Sequence, residues 1–176
     1  MSPRLFCLFS LTVLLCFTGC DDGDNDGKLR FAGRNGIAFE GDGFDRADVY
    51  CAEYSGTSSA SMEAGKTEHR AHIKLAGRYK DSVVNVDIYY FSKTTALEVG
   101  EYLTEATTEG STAIYLSIGG KEYRSILEEI RDYGFVQFSN VDSRLQGRFE
   151  AMLLSLDTPG RSVDVAGSFD VENKRD

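Results

Sequence analysis

The sequence predicts an all-β fold, a single antiparallel β-sandwich or barrel of about eight or nine strands, and three observations carry that prediction. Apolar and polar residues alternate with a period of two over much of the chain. The alternating segments are separated by turn chemistry, and the chain has only two prolines and one candidate helical turn.

In chain order the first strands are expected at residues 36–40, 47–54 and 69–79, the second carrying the alternating Ala47, Val49 and Cys51. The clearest alternation spans residues 82–90. There Val84, Val86, Ile88 and Tyr90 point one way and Asn85, Asp87 and Tyr89 the other, as a strand with one dry and one wetter face requires. Strands at 112–118 and 122–125 flank Gly119-Gly120, a tight-hairpin signal. Residues 125–131 form the candidate helical turn, from the spacing of Ile126, Leu127 and Ile130. A strand at 135–141 follows. In 144–153, Leu145, Phe149, Ala151 and Leu153 oppose Arg144, Gln146, Arg148 and Glu150. In 162–171, Val163, Val165, Phe169 and Val171 oppose Ser162, Asp164, Ser168 and Asp170. The turn residues Asp157-Thr158-Pro159-Gly160 lie between these two segments, so they are expected to pair as an antiparallel hairpin. No internal repeat is present.

The N-terminus has a different character. Arg4 is the only charge in the first 20 residues, residues 5–17 are apolar except for Ser10 and Thr12, and the run closes on Thr18-Gly19-Cys20. The apolar stretch is shorter than the roughly 20 residues a membrane span needs. This pattern resembles the lipobox of bacterial lipoproteins, with Phe17 in place of the usual Leu. The resemblance implies a signal peptide over residues 1–19, a diacylglycerol on Cys20 and cleavage just before it. A lipid-anchored protein of the bacterial cell envelope is the expected product, held in the bilayer through acylated Cys20. Asp21 resembles the inner-membrane retention signal of enteric bacteria, whereas other bacteria use acidic residues here for export, so inner and outer membrane both remain open.

Residues 20–27, Cys-Asp-Asp-Gly-Asp-Asn-Asp-Gly, read as an acidic tether to a β domain over 28–176. Asp22, Asp24 and Asp26 are also candidate metal ligands, because with Gly27 they match positions 1, 3, 5 and 6 of an EF-hand loop. Gly33 stands where that loop requires its bidentate Glu. A solvated spacer is therefore the expectation, with no cofactor.

Charge and cysteine content narrow the class further. The full chain is −9, and loss of Arg4 with the signal leaves 18 basic against 28 acidic residues, or −10. Nucleic acid is not an expected partner, because phosphate binding wants clustered Lys and Arg. Of the four cysteines only Cys51 would remain free after processing, so no intramolecular disulfide is expected and Cys51 reads as a buried small hydrophobe.

A second resemblance rests on the C-terminal half. Gly147-Arg-Phe149-Glu-Ala-Met-Leu, then a turn, then Val163-Asp-Val165-Ala-Gly167-Ser168-Phe169-Asp170-Val171 is similar to the closing hairpin of small β-rich bacterial lipoproteins of unknown function. Gly100-Glu101-Tyr102-Leu103, followed by a strand containing Tyr115, resembles the middle of the same proteins. The likeness covers about 75 residues and implies fold and location, with no activity attached.

Catalytic signatures are sparse. His69 and His72 would point to opposite faces of a strand, and a metal site needs three or four convergent ligands. Neither a G-x-S-x-G elbow nor a suitably placed S-x-x-K occurs. Tyrosines are numerous by contrast, and Tyr89 and Tyr115 are the candidate binding residues, Tyr89 because it falls on the wetter face of its strand. The expected function is a binding or accessory module that is not an enzyme, its ligand an envelope protein or glycan. The alternatives are a periplasmic immunity or exclusion lipoprotein and an envelope hydrolase working through a carboxylate or histidine pair.

Overall fold

A computed structural model describes residues 29–63, 66–104, 110–125 and 134–175. The expected signal peptide, Cys20, Asp22, Asp24, Asp26 and most of the candidate helical turn lie outside these residues. The described residues are all-β. The strands are β1 (Gly36–Gly41), β2 (Phe44–Glu63), β3 (Lys66–Tyr79), β4 (Ser82–Ser92), β5 (Gly100–Leu103), β6 (Ser111–Ile118), β7 (Lys121–Arg124), β8 (Gly134–Asn140), β9 (Arg144–Ser155) and β10 (Ser162–Arg175).

One sheet contains all ten strands, and its hydrogen bonds run in a ring. Starting from β1, which pairs with both β2 and β10, the ladder passes through β2, β3, β4, β6, β7, β9 and β10 and returns to β1. Closure leaves these eight strands without a first or last member, which removes the exposed edges of an open sheet. β8 and β5 branch from the second edge of β9. Thr112 Oγ1 donates to the Leu103 carbonyl at 3.1 Å, bridging β5 to β6.

The period-two pattern sets the inside of the ring. Along β4 the burial alternates as the sequence predicts, and Val84, Val86, Ile88 and Tyr90 are all buried. Phe39, Phe44 and Tyr79 pack edge-on near one end, with Phe39 5.1 Å from Tyr79. A second run passes from Tyr90 through Tyr102 and Phe138 to Phe169, with centroids 5.1, 5.8 and 5.4 Å apart. Edge-to-face contacts of this kind add to plain area burial. Cys51 is buried, and burial pushes its thiol up to about 11, so it is un-ionised at neutral pH.

Three features go beyond the sequence reading. The Gly100–Leu103 strand is additional to the nine segments read from alternation; it is four residues long and its partner lies more than thirty residues away. The hairpin of β2 and β3 extends well past residues 54 and 69, because the Ser- and Ala-rich stretch after Gly56 is held by the ladder rather than by apolar burial. The final residues of β10 pair parallel with β2, Asn173 opposite Gly56, in an otherwise antiparallel sheet.

Residues 29–35 form a strap across the outside of β1 and β10. Leu29 is buried there with Phe31 packed beside it, against Ala38 and Ala166, which are paired on the outer face. Ser168 Oγ donates to the Gly33 carbonyl at 2.5 Å, and the Cys51 amide donates to the Asn35 carbonyl at 3.0 Å. Asn35 also bonds the Asp170 backbone at both its amide and its carbonyl.

Candidate functional site

The outward residues of β2, β3, β4 and β6 form an ordered array, because antiparallel register puts partners side by side on one face. One cross-strand row is Thr57, His72, Tyr89 and Ala113; the rows beside it are Ser59, Arg70, Phe91 and Ser111, and Ser55, Lys74, Asp87 and Tyr115. Rings and charges therefore stand next to each other by construction.

His72 and Tyr89, directly opposed, stack with centroids 4.3 Å apart and planes 8° from parallel. The diagonal neighbours complete the cluster. His72 Nε2 lies 2.7 Å from Asp87 Oδ1, and Tyr115 meets Tyr89 edge-on at 5.7 Å. A carboxylate only accepts, so the bond places a proton on Nε2. Tyr89 and Tyr115 remain 40% and 39% exposed. Burial, followed by the nearby Asp87 and Tyr115, raises the Tyr89 hydroxyl above its ordinary value and keeps it a donor at neutral pH. In the next row Arg70 lies 5.7 Å from the centre of the Phe91 ring and its guanidinium bonds Glu68 at 2.6 Å. Between these two rows runs a groove of about 380 Å³ lined by Thr57, Ser59, Arg70, His72, Tyr89 and Phe91. That volume falls in the range of small-ligand sites.

The two tyrosines singled out from sequence thus share one patch. His69 does not join it; it lines a separate groove with Leu97, Val141 and Arg175. The His72–Asp87 pair has the acid–base half of a catalytic dyad. Among the described residues, however, Asp87 is the one side chain hydrogen-bonded to His72, so no hydroxyl is poised as its nucleophile. No group of three or more metal-type ligands converges among the described residues. Gly33, the last position of the candidate EF-hand loop, sits in the strap with its ring neighbour so close that a Cβ would come 2.4 Å from Phe31 Cζ. As a glycine it offers none of the carboxylate oxygens the loop requires there.

Sequence reasoning missed His72, Asp87, Arg70 and Phe91 as members of the patch. The signal was present in the turn: β3 and β4 are joined by Lys80-Asp81 alone, so Tyr79 faces Ser82, and counting outward from that pair sets His72 opposite Tyr89. Lys80 adopts a left-handed φ of 53°, which Asn or Gly usually supplies in a two-residue hairpin. Lys-Asp therefore does not announce itself as such a turn.

Two other polar clusters are structural. Asp42, its side chain 4% exposed, accepts from Tyr123 at 2.6 Å, Lys121 at 3.2 Å and Arg161 at 3.1 Å. It ties the β1–β2 turn to the residues that follow the β6–β7 turn and precede β10. The hydrogen bond from Tyr123, with help from Lys121 and Arg161, outweighs burial and holds the Asp42 carboxyl below its ordinary value. Burial and Asp42 together push Tyr123 well above the usual tyrosine range. Asp170, on the outer face beneath the strap, receives Arg34 at 2.7 Å and a shorter bond from Arg144. Burial alone would raise its carboxyl, but the Arg144 and Gln146 donors and the two guanidinium charges hold it low. No known protein family, no curated protein and no solved structure matches the chain.

Proposed function

We propose that this protein is a lipid-anchored envelope lipoprotein acting as a binding or accessory module, and that the outer wall of β3, β4 and β6 is its binding face. The observation that carries the reading is the half-exposed His72–Tyr89–Tyr115 cluster on the outside of a ring whose interior is filled by its own aromatic and aliphatic side chains. Tyr and Arg are the side chains that most often supply binding energy at interfaces, and here both flank a groove. The apolar N-terminal run ending on Cys20 supports the anchor.

Two experiments test the two halves. Cys20→Ser is expected to move the protein from the membrane pellet to the soluble fraction, whereas Cys51→Ser leaves it in the pellet; a Cys20→Ser protein that pellets like the wild type refutes the anchor. For the binding face, a photocrosslinking residue at position 115 is expected to give discrete adducts in intact cells that Tyr89→Ala abolishes, while the same residue at exposed position 172 on β10 gives none. Equal crosslinking from both positions, insensitive to Tyr89→Ala, removes the wall as the binding face.

A further inference from the structure

We infer that the outer wall around the strap is the face that lies against the bilayer, with lipid headgroups as its partner, so that the His72–Tyr89–Tyr115 wall is turned to the aqueous side. The inference rests on the acylation of Cys20 proposed above. Its geometric basis is the ring. The strap crosses the outside at β1 and β10, where Ala38 pairs with Ala166. Counting away from that seam, three steps from β1 lead through β2 and β3 to β4, and three steps from β10 lead through β9 and β7 to β6. β4 carries Tyr89 and β6 carries Tyr115. The strap and the aromatic cluster are therefore diametrically opposed.

Length decides what this opposition means. Nine Cα steps separate Cys20 from Leu29. Whatever conformation they take, they span at most about 32 Å. An eight-strand ring with strands roughly 4.8 Å apart and tilted to its axis is about 15 Å across the backbone, and about 25 Å once side chains are included. To rest the far wall on the bilayer, the chain before Leu29 would have to run a quarter of the way round that body and then down its side, a path of about 32 Å by the same dimensions. Only a segment stretched to its covalent limit reaches. With the ring lying along the bilayer, every shorter arrangement leaves the strap wall nearer to the acyl chains.

The chemistry of the strap wall suits phosphate-bearing headgroups. Arg30, Arg34 and Arg148 are exposed there, and Arg34 and Arg144 converge on the single carboxylate of Asp170. Arg148 bonds the neutral Gln137 side chain at 2.7 Å, so that bond leaves its charge uncompensated. Glu101 and Glu150 line the same groove as Arg30 and Arg148, and Glu40, Asp164 and Glu172 stand on the outer faces of β1 and β10. The wall therefore carries both signs and suits zwitterionic headgroups, whose phosphate meets the guanidiniums and whose ammonium meets the carboxylates. Guanidinium groups pair with phosphate through two parallel hydrogen bonds.

The test uses the full-length acylated protein with Cys51→Ser, reconstituted into vesicles of phosphatidylethanolamine and phosphatidylglycerol carrying a headgroup nitroxide. A fluorophore is attached at Asp164→Cys on the strap wall or at Val83→Cys on β4. Both positions are exposed and both lie beside the turns at the same end of the ring, so they differ in wall and not in height. The Asp164→Cys label is expected to be quenched at least twofold more than the Val83→Cys label. Equal quenching, or stronger quenching at Val83→Cys, in protein that floats with the vesicles overturns the orientation and leaves the anchor standing. Protein that fails to float, like Cys20→Ser, overturns the anchor and the orientation with it.

Discussion

At the scale of single residues, the polar side chains divide by what surrounds them. Asp42 is the most committed. Its carboxylate is buried against three donors from elsewhere in the chain, and none of those contacts was visible in the sequence, where Asp42 lies between Gly41 and Gly43 in what reads as an ordinary turn. Because its folded pKa is depressed, the stabilisation it confers is fully present above the unfolded value of about 3.9 and fades as the pH falls through the folded value. Asp42→Asn is therefore expected to lower the melting temperature by several degrees at pH 7, with the gap to wild type closing below about pH 4; a gap that stays constant with pH would show that charge contributes nothing there. Asp22, Asp24 and Asp26 give the opposite expectation. With Gly33 fixed under Phe31, millimolar calcium should leave the melting temperature unchanged in the wild type and in the Asp22→Ser/Asp24→Ser/Asp26→Ser variant alike, and a calcium-dependent rise lost in the variant would overturn that.

At the scale of elements, the paired motifs Gly147-Arg-Phe149 and Gly167-Ser-Phe169 acquire a physical reason. Antiparallel register sets Gly147 opposite Phe169 and Phe149 opposite Gly167. Each ring lies over the glycine of the other strand: a Cβ at Gly147 would come 2.6 Å from Phe169 Cζ, and one at Gly167 would come 2.4 Å from Phe149 Cζ. The rings occupy the volume that the glycines leave empty, which also covers backbone that would otherwise weaken a strand. Phe169→Ala is expected to cost about 3–5 kcal/mol by equilibrium denaturation. Gly147→Ala, which in an unconstrained strand would be mildly stabilising, should here cost about 1–3 kcal/mol, since the added methyl also meets the Gln137 carbonyl at 2.1 Å. A neutral Gly147→Ala would mean that the rings are not interlocked. Alternation made these strands legible, because burial on one face is written residue by residue. Register between strands was not, except where a turn short enough to count across was recognised, as at Gly119-Gly120. Gly100–Leu103 escaped notice because four residues cannot display a period and no tight turn joins them to their partner, as Gly119-Gly120 joins the equally short β7 to β6; the Ser-rich half of β2 did so because little in it is apolar enough to alternate.

At the scale of the whole molecule, the ring is closed by the two ends of its sequence. Among the described residues β1 and β10 are the first and last strands, and they pair with each other. A strand pairing so distant in sequence contributes only after the intervening chain has been ordered. The strap lies over this seam and ties it shut from outside: Gly33 takes the Ser168 hydroxyl, Arg34 the Asp170 carboxylate, and Asn35 both the Asp170 backbone and the Cys51 amide. Residues 29–35 are thus tied to the wall of the ring, although they form no strand. Two truncations separate body from leader. A chain beginning at Leu29 is expected to melt at the same temperature as one beginning at Cys20. A chain beginning at Gly36 loses the burial of Leu29 and Phe31, about 1.5–3 kcal/mol for a fully buried side chain and less for the half-exposed ring. It also leaves the Cys51 amide without its carbonyl partner, a further cost of about 1–3 kcal/mol if water cannot reach it. Chemical denaturation should therefore show the Gly36 chain destabilised by at least about 3 kcal/mol. If the Leu29 and Gly36 chains unfold at the same midpoint, the seam closes without the strap. The strap itself would then have no structural reason to stay fixed over β1 and β10.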